Sequence, residues 1–337
     1  MYALVLSYDY PELSMGEALA CLEIENIEVK SYKMANRILL VEAGCNDEKI
    51  IRAAKRSATI KEAVRIFEVR RDISFDYSSL KTHLKNVKTF GVRVSVFQGN
   101  FSRRKLERLI GRKILELYPN LHVNLLNPDI WIRIGILDEI FFIGKRIHIS
   151  PSKGFYKRSA GKRPFNLAST LKPKLARTLV NLSRARPGSI LLDPFSGAGA
   201  ILIEAEILGV NTIGCELFKK HVYGSKENMN WINFKPIALI RCDSTYLPIR
   251  RVDEIVTDPP YGIEAPLGGR SMKEIYEFFL INSQGILKPG GKLVFMHPHK
   301  FKLENSIKYG FREIFSCEVP VHGSLTRVIR VWERLAE

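Results

Sequence analysis

No stretch of this chain stays apolar and uncharged for the roughly 18 residues that a membrane span needs. Its N-terminus, MYALVLSYDYPEL, carries Asp9 and Glu12 where a secretory leader would carry basic residues. A cytoplasmic protein is therefore expected, with no membrane partner. Cysteine is scarce: Cys21, Cys45, Cys215, Cys242 and Cys317 are odd in number, scattered and never spaced Cys-x-x-Cys. That excludes a disulfide framework and a zinc cluster as first readings and leaves reduced thiols, so no metal is expected. Internal repeats and low-complexity tracts are missing too. Acid is absent altogether between residues 151 and 190, which hold ten Lys and Arg.

What is present is a 337-residue chain, 46% apolar, long enough for about two domains with real cores. Its net charge of +17 is unevenly spread: −5 over residues 1–50, +11 over 51–150, +10 over 151–190 and +1 over 191–337. A generally alkaline composition would be more uniform. The concentration in the middle points to a nucleic-acid surface, with a merely solubilising surface as the alternative account.

Up to about residue 150, short strands and helices mix. Ala3–Leu6 and Ile38–Val41 have strand character, and Gly16–Ile24 has helical spacing. Residues 47–67, DEKIIRAAKRSATIKEAVRIF, read as helix, while GVRVSVFQ (91–98) alternates like a half-buried strand. FSRRKLERLIGRKILELYP places Leu106, Leu109, Ile110 and Leu117 on one stripe, with Arg103, Arg104, Lys105, Arg108, Arg112 and Lys113 largely off it. This is an amphipathic helix with a basic face. IWIRIGI and EIFFIGKRIHI follow as a hairpin pair. The expected organisation is a small α+β piece over 1–50, a second α+β domain over 51–150 and a basic linker over 151–172. In that linker Lys153, Lys157, Arg158 and Arg163 offer a grip on a polyanion. From 173 to 337 apolar runs alternate with helical segments, as in an α/β fold with a parallel sheet.

Within that last region, Ser189-Ile190-Leu191-Leu192 runs into DPFSGAG (193–199) and then a helix, the first crossover of a doubly wound sheet. Gly197-x-Gly199 lacks the third glycine of a dinucleotide fingerprint, and Asp193 would repel a pyrophosphate. An acid there suits a cationic or zwitterionic ligand, of which S-adenosylmethionine is one. Two further apolar strands end in acids: Glu216, placed to accept from ribose hydroxyls, and Asp243, followed by Ser244, placed to accept from an adenine amine. Each acid alone is an ordinary loop residue; three in succession make a nucleoside pocket the better reading.

The fourth strand delivers Asp258-Pro259-Pro260-Tyr261-Gly262 to the same edge. Two prolines stiffen the turn and remove amide donors, so the Asp258 carboxylate and a main-chain carbonyl become fixed acceptors. An exocyclic base amine is a poor nucleophile because its lone pair is delocalised into the ring. Holding both amino hydrogens favours pyramidalisation and frees that pair. Tyr261 offers a face for an unstacked base. Residues 263–270, with Gly268-Gly269, read as a mobile flap. In isolation, a Pro-rich strand stop would be the first account of this stretch.

DPFSGAG, the Glu216 strand and DPPYG resemble the S-adenosylmethionine-dependent amino-methyltransferases. The whole chain resembles the archaeal tRNA guanosine-10 N2-methyltransferases, most specifically through residues 163–188 (RPFNLASTLKPKLARTLVNLSRARPG) and 321–332 (VHGSLTRVIRVW). The resemblance implies an N-terminal ferredoxin-like piece and a THUMP RNA-binding domain followed by a Rossmann-like methyltransferase domain. By that resemblance Asp193, Phe195, Gly197, Gly199, Glu216, Asp243 and Ser244 hold S-adenosylmethionine. Residues 164–166, with Phe165, close over it. Asp258 and a carbonyl of Pro259 or Pro260 take the guanine amine, and Tyr261 stacks. The implied partner is tRNA, with room for a small zinc-binding activator protein. Two departures from the family pattern are Ser196, where Cys is common, and Asn166-Leu167-Ala168, where a His-Pro pair is expected.

Rival readings are methylation of another tRNA or RNA guanosine, a DNA amino-methyltransferase acting on adenine N6 or cytosine N4, and a non-catalytic RNA-binding module. The second lacks a helix-turn-helix or zinc reader, so no DNA partner is expected. A protein glutamine methyltransferase would show Asn in place of Asp258. His297, His299 and the three tryptophans read as structural residues, whereas Arg327, in the HGSLTR segment, is a candidate to reach substrate.

Overall fold

A computed structural model describes the chain except residues 8–9, 98, 138, 152–153, 262–270, 304, 323–324 and 337, and the side chains of 321, 322 and 325. The expected flap at 263–270 and Lys153 therefore lie outside the described residues. In chain order the first elements are β1 (Tyr2–Leu6), α1 (Pro11–Ile24), β2 (Val29–Ala35), β3 (Ile38–Ala43), α2 (Asp47–Arg56) and β4 (Ile60–Arg70). They continue with β5 (Thr89–Val96), α3 (Arg103–Leu117), β6 (His122–Val123), β7 (Ile130–Leu137) and β8 (Ile140–Ile149). The remainder are α4 (Pro173–Leu182), β9 (Ile190–Asp193), α5 (Ala200–Ile207), β10 (Asn211–Glu216), α6 (Lys219–Trp231), β11 (Ala238–Arg241), β12 (Val252–Thr257), α7 (Met272–Ile286), β13 (Leu287–Pro298), β14 (Phe311–His322) and β15 (Leu325–Arg334).

Two compact units result: residues 1–11, 25–55 and 60–150 in one, and residues 12–24, 56–59 and 151–337 in the other. The first is an eight-stranded sheet in the order β2-β3-β1-β4-β8-β7-β5-β6. Strands β1 to β4 of this sheet, with α1 and α2 between them in sequence, follow the ferredoxin-like pattern, so the expected boundary at residue 50 falls inside α2. The helix expected over 47–67 also ends early. Lys61, Glu62, Ala63 and Arg65 favour helix, but β-branched Ile60, Val64 and Ile66 fill the sheet when β4 pairs antiparallel with β1 and β8. Two flanking strands outweigh local propensity. On α3 the buried stripe is Ile110 and Ile114, with Leu106 and Leu115 partly covered, whereas Leu109 and Leu117 are exposed.

The second unit carries a seven-stranded sheet, β11-β10-β9-β12-β13-β15-β14. Pairing is parallel from β11 to β13, and β15 enters antiparallel between β13 and β14. This is the Rossmann-like methyltransferase arrangement, and it differs from the all-parallel expectation only in its last hairpin. The strand order reverses direction at β9 and β12, and a ligand cleft forms beyond the carboxyl ends of such strands. Phe279, Phe295, Phe311 and Trp332 fill the core on one side.

Helix α1 belongs to this second unit although it precedes the first sheet's later strands. Glu17, fully buried, accepts from Ser57 Oγ at 2.6 Å, the Ala58 amide at 2.6 Å, the Thr59 amide at 3.1 Å and Asn181 Nδ2 at 2.6 Å. A carboxylate without exposure is tolerable only when its lone pairs are filled in this way. Neighbouring Gly16 leaves no room for a larger residue, since a Cβ there would lie 2.6 Å from Phe315 Cε2. Among the described residues no helix is long and apolar enough to cross a membrane, and all five cysteines are free.

Candidate active site

Four strand ends of the second unit meet along one edge. Asp193 closes β9 with its side chain buried, accepting from the Phe195 amide at 3.2 Å and from Thr257 Oγ1 at 2.7 Å. Burial, with smaller contributions from the nearby charges of Asp258 and Glu216, pushes its carboxyl up to about 7 against the pull of those two hydrogen bonds. A cationic ligand group would reverse that, which is a physical reason for an acid at this point.

Beyond Asp193 the chain turns through Gly197 (φ +49°) and Gly199 (φ +76°), both left-handed, before entering α5. A Cβ on Gly199 would sit 2.5 Å from Ser225 Oγ, whereas Gly197 faces open space apart from Leu167 Cδ1 at 3.7 Å. Glu216, closing β10, accepts the Gly197 amide on one oxygen and the Phe218 amide on the other, each at 3.0 Å, with His221 Nδ1 at 3.4 Å. It therefore fixes the glycine turn as well as standing where a ribose would be read. Asp243 follows β11 and accepts from the Thr245 amide and hydroxyl at 2.9 and 2.7 Å, with Ser244 buried beside it.

Residues 165–167 are fastened over this turn. The Phe165 amide donates to Asn228 Oδ1 at 3.0 Å, and Asn228 Nδ2 donates to the carbonyls of Phe165 (2.8 Å) and Ala198 (2.9 Å). The Phe165 ring lies against Gly224 of α6. Phe195 instead packs its ring edge-on against Phe279, 5.5 Å between centroids, so much of it serves the core.

Strand β12 carries Thr257 and then Asp258, Pro259, Pro260 and Tyr261. Asp258 is 14% exposed; its Oδ1 accepts from the Tyr261 hydroxyl, and its Oδ2 lies 3.9 Å from Arg327 Nη1. Burial pushes this carboxyl up to about 6, while the Arg327 charge and the Tyr261 hydroxyl pull it down. The Tyr261 hydroxyl itself is driven well above its ordinary value by burial. Sequence reasoning gave Tyr261 only a stacking role; the structure adds the hydrogen bond to Asp258 and puts the Arg327 guanidinium over the ring, 5.2 Å from its centroid.

The basic residues divide. On α3, Arg103, Arg104, Lys105, Arg108 and Arg112 are exposed, as is Lys157 further on. Arg158 and Arg163, expected to grip RNA, turn inward instead. Arg158 Nε and Nη2 reach the two oxygens of Glu204 at 2.7 and 3.1 Å, Arg177 Nη2 reaches Glu204 at 2.8 Å, and Arg163 is only 6% exposed. Glu204 is wholly buried in α5, and a buried carboxylate is held by cations in contact with it. The sequence carries the signal in part: ILIEAEI holds two glutamates in an apolar run, and Glu204, the wholly buried one, needs a cation, while Glu206 accepts from Thr212. Thr257 and Asn228, which bind the site together, carried no comparable signal. Among the described residues no group of His, Cys, Asp or Glu is disposed to hold a metal.

Residues 160–328 match the RMKL-like methyltransferase domain model, and residues 77–144 match the THUMP domain model. The chain is 33% identical to the tRNA (guanine(10)-N2)-dimethyltransferase of Methanothermobacter thermautotrophicus, covering 98% of both sequences. It is 30% identical to the enzyme of the same name from Methanocaldococcus jannaschii, covering 99% of this chain and 100% of that one. TrmN from Thermus thermophilus has a similar crystal structure, with a TM-score of 0.54, 22% identity and coverage of 99% and 100% of the two chains. SMU.472, crystallised with SAH, reaches a TM-score of 0.50 at 14% identity over 100% and 98%. At these identities the two structures bear on the fold.

Proposed function

The chain belongs to the archaeal tRNA (guanosine-10 N2)-methyltransferase family, and from that premise we propose that it methylates the exocyclic N2 of a tRNA guanosine, at position 10, giving mono- or dimethylguanosine in the cytoplasm. The observation that carries this is the coupling of Asp258 to Asp193 through Thr257, which ties an amine acceptor to a buried acid on the neighbouring strand.

The donor set fits S-adenosylmethionine. Three acids stand at or just beyond successive strand ends, one buried and raised in pKa as a site for a cation must be, and an open glycine lies beside Leu167. Asp193, Phe195, Gly197, Gly199, Glu216, Asp243, Ser244 and Phe165 would hold it. When bound, it supplies the methyl group on a sulfonium centre.

The chain's own residues do the rest. Asp258, ionised above about pH 6, accepts from the N2 amine, and a carbonyl of Pro259 or Pro260 accepts the second amine hydrogen. Fixing both hydrogens in a rigid turn localises the nitrogen lone pair, and preorganised acceptors of this sort need no rearrangement at the moment of reaction. The Asp258 carboxylate is also the group placed to receive a proton released at N2. Tyr261 supplies the face against which a flipped base lies. Exposed cations on α3 hold phosphates and set position without reading sequence.

Incubating unmodified tRNA transcripts with the chain and methyl-labelled cofactor, followed by mass spectrometry of mapped nucleosides, tests this. N2-methylated guanosine at position 10 is the expected product. Label on adenine or cytosine, or on no nucleoside, would overturn it. The same assay tests the small zinc-binding activator protein admitted by the resemblance, because turnover by the purified chain alone removes the need for one.

A further inference from the structure

Arg327 is not explained by packing. Strand β15 registers it between Pro298 of β13 and Val319 of β14, at the sheet edge where Asp258 stands. Its side chain is 15% exposed, yet Nε is buried and, among the described residues, donates to nothing. Its Nη1 lies 3.9 Å from Asp258 Oδ2, close enough for charge attraction and too far for a hydrogen bond. A buried donor without an acceptor is costly and rare, and beside a reacting carboxylate it implies an acceptor that arrives with the substrate. Tyr261 beneath the guanidinium keeps it from swinging away.

The site thus offers an acceptor, Asp258, and next to it an unused donor, Arg327. Along its Watson–Crick edge guanine presents the N2 amine, then N1–H, then the O6 carbonyl, so an amine held at Asp258 carries an acceptor toward the guanidinium. Adenine and cytosine place a ring-nitrogen acceptor next to the amine, where it faces the carboxylate, and adenine has no carbonyl at all. We infer that Arg327 selects guanine by donating to O6 of the base whose N2 lies at Asp258. This rests on the proposed N2 methylation and names the residue that restricts the clamp to one base.

Sites built to hydrogen-bond a substrate reject analogues that lack the partner atom. The test compares tRNA carrying guanosine at position 10 with tRNA carrying 2-aminopurine there, which keeps the amine and lacks O6. Both are assayed with wild type, Arg327→Met and Arg327→Lys, each checked for unchanged melting and cofactor binding. Wild type should prefer guanosine by about 10- to 100-fold in kcat/KM, the range of a hydrogen bond to a charged group. Both variants should lose most of that preference, because Lys keeps the charge without the guanidinium fork. Since 2-aminopurine also lacks N1–H, the protein-by-substrate cycle isolates the part due to Arg327. A wild-type preference preserved in both variants would overturn the inference and leave the proposed function standing. Failure of wild type to methylate either tRNA at N2 would remove the proposed function and this inference together.

Discussion

Thr257 Oγ1 donates to Asp193 Oδ1 at 2.7 Å, joining the last residue of β12 to the last residue of β9. One hydroxyl thus links the acid of the glycine turn to the residue that precedes the amine clamp. The bond also pulls the Asp193 carboxyl down from where burial alone would put it. Thr257→Val keeps the shape and removes the donor, so Asp193 should titrate higher still and be protonated more at neutral pH. Affinity for S-adenosylmethionine should fall about 10-fold at pH 7 and recover as pH rises. Calorimetric titration at pH 6.5, 7.5 and 8.5 checks this; an affinity equal to wild type at all three values would contradict it.

Asp258→Ala removes the side-chain acceptor while leaving the glycine turn and the α3 cations intact. Methyl transfer should fall by about 10²–10³-fold, the scale for losing one preorganised polar group at a reacting centre. Binding of tRNA and cofactor should change little. In wild type, turnover should drop as pH falls through about 6, where the carboxyl protonates. Single-turnover rates on tRNA transcripts give both numbers, and near-normal turnover by the variant would reassign the amine acceptor.

Glu254 is buried near the start of β12, its Oε2 finds no hydrogen-bond partner among the described residues, and desolvation pushes its carboxyl up to about 7. The folded value lies above the unfolded one, so its stabilising contribution is complete below about pH 4 and disappears as pH climbs through 7. At pH 8 the charged form therefore costs the fold on the order of 2 kcal/mol. Glu254→Gln, which cannot ionise, should shrink the stability difference between pH 5 and pH 8 by about that amount. Urea unfolding at the two pH values measures it, and an identical pH dependence in the variant would refute the burial argument.

Charge reversal at Arg104 and Arg108 should weaken tRNA binding and reduce the slope of log affinity against log salt by roughly two, since each phosphate contact contributes about 0.7–0.9. Both side chains are exposed on α3. Filter binding across a salt series reads the slope, and an unaltered slope would mean that this face is only solvated.

Strand ends are legible because three apolar runs in succession each close on an acid, and Asp193, Glu216 and Asp243 stand at or just past β9, β10 and β11. β4 is not, because Lys61, Glu62, Ala63 and Arg65 look helical until the strands on either side of them are known. Arg158 and Arg163 read as surface charge for a similar reason: Arg158 turns inward onto Glu204, more than forty residues along the chain, and Arg163 follows by donating Nε to the Arg158 carbonyl at 2.8 Å. Thr257 looked like an ordinary strand residue, and its role exists only through register with β9.

The buried bonds of Glu17 to Ser57, Ala58, Thr59 and Asn181 have a genetic consequence. Two short segments encoded among the strands of the first sheet complete the core of the second unit. A single recombination crossover near codon 150 would separate residues 12–24 and 56–59 from the rest of the second unit, so the two halves of this gene are expected to have been inherited together rather than shuffled.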